Sequence, residues 1–248
     1  MSLKAMFYGA PGCGKTTLIG TACDDERLAP VLILDSKGNP EVLRNKKNKP
    51  DVIPIRSMAE YNEPYNWLAN GQNPKDPIVD YWGLHPPYKT IAIDSLTETQ
   101  RHVIRKVSGG ESIQPGDLMP ALGRQGFGQL MGTMLNWANY YLDLPLNIIL
   151  ASHENQKQDG ANGPIRIAPL LWGQSGNELS GYVLLVMRLC TTLAMPANMK
   201  MEISQEAYNY GQVLETFPVY AKDQYGLGVK YIEDPTMSMV MDLIEQGS

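Results

Sequence analysis

Cysteine, histidine and phenylalanine are scarce in this sequence, at three residues each. Cys13, Cys23 and Cys190 include no Cys-x-x-Cys pair, so they cannot build a disulfide framework and argue against a structural zinc site. That usage fits a reducing compartment. No apolar run approaches the roughly 18 residues of a membrane-spanning helix, and no membrane partner is expected. The N-terminus carries Lys4 but neither the apolar stretch nor the cleavage site of a signal peptide, so the expected location is the cytoplasm. Charged residues are only 19% of the chain, and the net charge of −5 supplies no basic field for wholesale nucleic-acid binding. The charge is uneven: residues 171–248 hold 4 basic and 9 acidic side chains, while the first 170 residues hold 17 of each. Any contact with DNA or RNA must come from local basic or backbone-rich loops.

What is present is 248 residues with 23 glycines and 18 prolines, turn-rich and without a repeat. This length suits one large domain, and the expectation is a single domain over 1–248. Short apolar runs at Leu3–Tyr8, Val31–Leu34, Val52–Ile55, Thr90–Ile93, Leu146–Ala151 and Tyr182–Leu189 read as strands. Between them, Met58–Asn70 and the apolar periodicity from Phe127 to Leu142 read as helices, the first behind a Ser57–Glu60 capping box. A closing helix is expected over Ser238–Ile244 and a β-hairpin over Met201–Lys222. Residues 71–88 read as a surface insertion with a small apolar anchor, and 108–126 and 154–164 as mobile loops. Strands alternating with helices predict an α/β fold with a mainly parallel central sheet flanked by helices and a C-terminal β-hairpin extension.

Gly9-Ala10-Pro11-Gly12-Cys13-Gly14-Lys15-Thr16 matches G-x-x-x-x-G-K-[ST] in full, directly after a strand and before a helix. Glycines let successive backbone N–H groups turn inward around a phosphate, and the helix N-terminus adds its dipole. Lys15 is expected to reach the β- and γ-phosphates of ATP and Thr16 to bind Mg²⁺, with Gly9, Pro11, Gly12, Cys13, Gly14 and Thr17 completing the cradle. Cys13 is read as a small loop residue and not a reactive thiol. Asp94, closing the buried run Ile91-Ala92-Ile93, is the expected acidic partner of the Mg²⁺. Ser95 follows it where ring-forming AAA+ ATPases place a glutamate, which points away from AAA+. Asn48-Lys49-Pro50-Asp51 spells the guanine-specificity motif of GTPases, but it precedes the Asp94 strand and reads as chance. Ser152-His153-Glu154 is no hydrolase triad, since neighbours along a strand point in different directions.

The order of these parts resembles the RecA-type ATPase core, and within it the small phage-encoded ATPases of single-strand annealing and recombination. Val31–Lys37, the Asp94-Ser95 pair and Arg124-Gln125 leading into the following helix carry the likeness, as does Gly176-Asn177-Glu178-Leu179. It spans roughly residues 3 to 190, and with the phosphate loop starting at Gly9 it implies a core-only version. The resemblance implies a RecA-like fold, ATP hydrolysis with Mg²⁺, single-stranded DNA as partner and a homo-oligomer with nucleotide near subunit interfaces. A phage-encoded chain would work in the cytoplasm of a bacterial host. It also implies a polar sensor of the γ-phosphate at Ser152 or His153, and DNA-binding loops within 108–126 and 160–164. Lys222 and Lys230 are then candidates for contacts to a neighbouring subunit.

The family's water-activating glutamate is expected where Lys37 stands. Asp35, Glu41 or Glu98 could substitute, and Lys37 could instead neutralise phosphate charge or be a solvated surface lysine. Candidate DNA contacts are Arg105, Arg124, Lys157 and Arg166, with further basic residues at Arg101, Lys106 and Arg44–Lys49, and Phe127 or Trp172 as stacking platforms. The alternative is a solvated helix face and core aromatics. Three functions remain open: a DNA-dependent ATPase in recombination or annealing, a nucleotide-gated DNA-binding or scaffold module with little or no hydrolysis, and a P-loop phosphotransferase. The last lacks an arginine-rich lid.

Overall fold

A computed structural model describes residues 2–38, 41–44, 46–108, 124–158, 165–172, 175–191, 199–202, 219–229 and 231–247. The apolar runs become strands because both of their faces are covered. β1 (Lys4–Gly9), β2 (Val31–Asp35) and β4 (Thr90–Asp94) are buried almost throughout, which accounts for continuous rather than alternating hydrophobicity. With β3 (Asp51–Pro54), β5 (Asn147–Gln158) and β7 (Leu185–Thr191) they form a parallel sheet in the order β7-β1-β5-β4-β2-β3. The phosphate-loop strand and the Asp94 strand are thus separated by β5. This is the α/β architecture expected from the sequence, a mostly parallel central sheet flanked by helices.

One face of the sheet, with Phe7, Ile33, Ala92 and Ile149, packs against α1 (Lys15–Thr21) and the closing α7 (Met237–Gly247). The other face, with Met6, Leu34, Ile93 and Leu150, packs against α2 (Asn62–Ala69), α3 (Pro77–Trp82), α4 (Leu96–Val107), α5 (Arg124–Leu142) and α6 (Ser175–Tyr182). Arg27 ties α7 down through Asp25 (2.6 Å), Asp242 (2.7 Å) and Glu245 (2.9 Å).

Four expectations are corrected. Residues 154–158 are not loop: β5 continues through them and pairs antiparallel with β6 (Ile165–Pro169), Glu154 opposite Pro169 and Gln158 opposite Ile165. The polar side chains there hide the strand because it stands off the main sheet. The described ends of the expected 201–222 hairpin do not pair with each other. β8 (Met199–Glu202) and β9 (Lys222–Asp223) both add antiparallel to β7, and β10 (Tyr231–Glu233) pairs with β8. The last central strand begins at Leu185 and not Tyr182, since α6 takes the preceding residues. The helix expected from Phe127 begins at Arg124. The 71–88 excursion does hold its apolar anchor: Ile78, Val79, Leu84 and Tyr88 are buried, and Gln72 and Tyr88 exchange hydrogen bonds of 2.9 and 2.5 Å. Residues 109–123 and 159–164, the bulk of the two expected loops, lie outside the described residues.

Candidate nucleotide site

Strand register gathers the site before any side chain is considered. Gly9 is level with His153, Asp94 with Ala151, and Asp35 with Asp94, so three strand ends and the phosphate loop share one edge. Side chains alternate along a strand. Asp35, Asp94 and His153 follow Ile33, Ala92 and Ala151 at spacing two, which puts them on the α1 face. Ser152 falls on the opposite face.

The loop from Gly9 to Lys15 turns as its glycines require. Gly12 and Gly14 hold φ of 81° and 94°, a region that costs side-chain-bearing residues. A Cβ at Gly9 would lie 2.2 Å from the Leu189 carbonyl oxygen and 2.7 Å from Cys13 Sγ. Cys13 is buried in the α1-face core, and burial pushes its thiol pKa up, which fits a packing role. Pro11 and Gly12 are exposed, while Thr16 and Thr17 are half-buried at the start of α1.

Lys15 is 6% exposed, and its Nζ donates to the carbonyls of Gly9 (2.8 Å) and Ala10 (2.9 Å) and approaches Cys13 Sγ at 3.6 Å. Burial lowers its pKa, opposed by Cys13 and Asp94. Thr16 Oγ1 donates to Asp94 Oδ2 at 2.5 Å. Asp94 is 6% exposed, and burial raises its pKa against the Thr16 hydrogen bond and the charges of Lys15 and Lys37. A hydroxyl and a carboxylate in contact beside a phosphate loop are the hard oxygen donors that Mg²⁺ takes together with phosphates and water. Among the described residues no cluster of three His, Cys, Asp or Glu could hold a metal without such help. The residues therefore fit Mg²⁺ brought with a nucleotide: Thr16 and Asp94 would hold it, and it would neutralise phosphate charge.

Of the two sensor candidates, His153 lies at the rim and Ser152 does not. Ser152 is fully buried, its hydroxyl donating to the His153 carbonyl (3.0 Å) and lying 3.3 Å from Thr97 Oγ1. His153 is half-buried, and its Nδ1 has no hydrogen-bond partner among the described residues. Burial lowers its pKa, and Lys15 and Lys37 lower it further. Its backbone N–H donates to Thr97 Oγ1 at 3.0 Å.

The basic candidates divide. Lys157, on the strand that holds His153, is level in register with Arg166 of β6. Arg124 opens α5, and Phe127 one turn later is 37% exposed, while Trp172 is half-buried against the core. Arg101 is taken up by Glu98 (2.7 Å). Arg105 and Lys106 sit in the last turn of α4, a twelve-residue helix that starts at the site, so the fold carries them about 15 Å from it. There they complement the helix dipole. Lys222 caps α6, donating to the carbonyls of Ser180 (3.2 Å), Gly181 (2.9 Å) and Val183 (2.7 Å), so it is not free for a neighbouring subunit. Lys230 lies outside the described residues.

Two features escaped sequence reasoning. Thr97 joins α4 to β5, and the ion pair Arg188–Glu154 (2.9 Å) bridges β7 to β5 past the end of β1. Thr97 lies three residues past Asp94, in the first turn of the following helix, and that placement was its one visible signal.

A family model described as an AAA domain matches residues 1–216, and the chain belongs to that family. Its members are P-loop ATPases, in keeping with the loop and strand order above. Ser95 pointed away from AAA+ ATPases; the matched family is itself an AAA domain, so the serine does not set the chain outside that designation. No curated protein matches the sequence. Among solved structures, a KaiC-like protein from the hyperthermophilic archaeon Pyrococcus horikoshii aligns over 80% of this chain and 77% of its own, with 12% identity and a TM-score of 0.41.

Proposed function

We propose that this AAA-domain chain is an Mg²⁺-dependent ATPase whose nucleotide state controls its hold on single-stranded DNA, in recombination or annealing. ATP lies along Gly9–Thr17, with Lys15 on the β- and γ-phosphates and Thr16 and Asp94 ordering the metal. His153 faces the terminal phosphate.

The observation that carries the DNA reading is the register that sets Lys157, on the strand that also holds His153, level with Arg166 of β6. Like charges at paired strand positions disfavour the pairing, and an anion that meets both residues would relieve that cost. A nucleic-acid backbone is such an anion. Arg124 and exposed Phe127, at the opening of α5, add a cation and a stacking surface. A homo-oligomer belongs to the same reading, with a neighbour's cation supplied from outside Lys222.

The test is steady-state ATP hydrolysis with Mg²⁺, with and without single-stranded DNA, using Lys15→Ala as the blank. DNA-stimulated turnover that disappears in Lys157→Glu/Arg166→Glu supports the proposal. Turnover indifferent to DNA removes the DNA half, and unchanged ATP affinity in Lys15→Ala removes the whole. Lys37 at the expected glutamate position favours a second reading, a nucleotide-gated module that binds ATP and scarcely hydrolyses it. The same assay separates the two, since the second predicts ATP-dependent DNA binding without turnover.

A further inference from the structure

The fold fixes where Lys37 stands. β2 ends at Asp35, level with Asp94. Ser36 is strapped to the end of β4 three times: its N–H donates to the Asp94 carbonyl (2.8 Å), its hydroxyl donates to the Ser95 carbonyl (2.9 Å), and that hydroxyl accepts from the Ser95 N–H (2.9 Å). Asp35 Oδ1 then accepts from the N–H groups of Lys37 (2.9 Å) and Gly38 (3.0 Å), closing a turn of the kind aspartate favours. Lys37 therefore rises from a pinned turn two residues past the neighbour of Asp94.

Its side chain is exposed, and among the described residues its ammonium has no ion-pair or hydrogen-bond partner. The other carboxylates near it are committed: Asp35 to the turn, Asp94 to Thr16. The turn that carries it is bonded to the end of the Asp94 strand, at the sheet edge that also holds the phosphate loop and His153, and its charge reaches Lys15, Asp94 and His153. Those three groups frame the place that the terminal phosphate of a bound triphosphate would take. Lys15 and Lys37 thus stand at one sheet edge with two carboxylates, Asp35 and Asp94, and Lys37 is the exposed cation there, with no carboxylate paired to it among the described residues.

We infer that Lys37 is a second phosphate lysine, a specificity residue that contacts the γ-phosphate and makes the site prefer ATP to ADP. The inference rests on the nucleotide-binding reading above. The β-phosphate is served by the loop N–H groups and Lys15, so a diphosphate gains little from Lys37, whereas a triphosphate gains a charge-assisted contact.

The test is calorimetric titration of the full chain with ATP and with ADP, each with Mg²⁺, for the wild type, Lys37→Ala, Lys37→Arg and Lys15→Ala. In Lys37→Ala the affinity for ATP should fall on the order of tenfold, that for ADP should stay within about twofold, and Lys37→Arg should restore most of the difference. ATP and ADP weakening together, or neither changing, overturns the inference while leaving the phosphate loop intact. If Lys15→Ala binds both nucleotides like the wild type, the nucleotide reading itself fails, and this inference with it.

Discussion

At the scale of single residues, the site sets function against stability. Asp94 is buried with its charge opposed by desolvation, and its neighbours only partly offset that cost. Its raised pKa means that the ionised form weakens the fold above that pKa, so removing the charge relieves a strain. Asp94→Asn should therefore melt at the wild-type temperature or higher. Its ATP turnover should drop on the order of a hundredfold, because the metal is no longer ordered. A thermal melt beside a turnover assay checks this, and a lowered melting temperature would mean that the Thr16 hydrogen bond outweighs the desolvation. The meeting of Lys15, Thr16 and Asp94 at one edge was legible in the sequence because the G-x-x-x-x-G-K-[ST] pattern sets its glycines at fixed intervals, and a buried strand ending in aspartate is conspicuous. Thr97 and the Arg188–Glu154 pair were not, because each joins strands or helices far apart in the chain and leaves no local pattern.

At the scale of elements, α7 shows how a short helix is held. Its apolar side, Met237, Val240 and Ile244, packs on the α1 face, and Arg27 gathers Asp25, Asp242 and Glu245 beside it. Asp25 is almost fully buried, so losing the Arg27 guanidinium leaves its carboxylate with the backbone N–H of residue 27 but without its counter-charge. Arg27→Met should lower stability by about 2–3 kcal/mol, read from the urea midpoint at pH 7. Hydrogen bonds from Arg27 hold the Asp25 pKa down. A depressed carboxylate stabilises the fold above its unfolded pKa of about 3.9 and loses that contribution as pH falls through the folded value. The gap between wild type and variant should accordingly narrow below about pH 4. The central strands were readable because burial on both faces leaves unbroken apolar runs. The outer half of β5, Glu154–Gln158, was not: it is a polar ribbon whose strand partner among the described residues is β6, with neither alternation nor apolar run to announce it.

At the scale of the molecule, the sheet puts the phosphate loop, Asp35, Asp94 and His153 on one edge. The phosphate-loop strand is flanked on both sides, by β7 and β5, so the loop hangs from a strand with no free edge. The antiparallel strands β8, β9 and β10 gather beyond β7, away from Asp35 and Asp94. β5 belongs to both regions. It begins deep in the parallel sheet at Asn147, passes His153 at the rim and leaves the sheet still extended, ending where Lys157 is level with Arg166 of β6. In mechanical terms it is a strut. Extended backbone has little slack, and four residues span about 13 Å, so a shift of His153 along the strand axis arrives at Lys157 nearly undiminished. The transmission has no preferred direction. A load on the tip, whatever supplies it, would also pull on the histidine, which stands level with Gly9 of the phosphate loop.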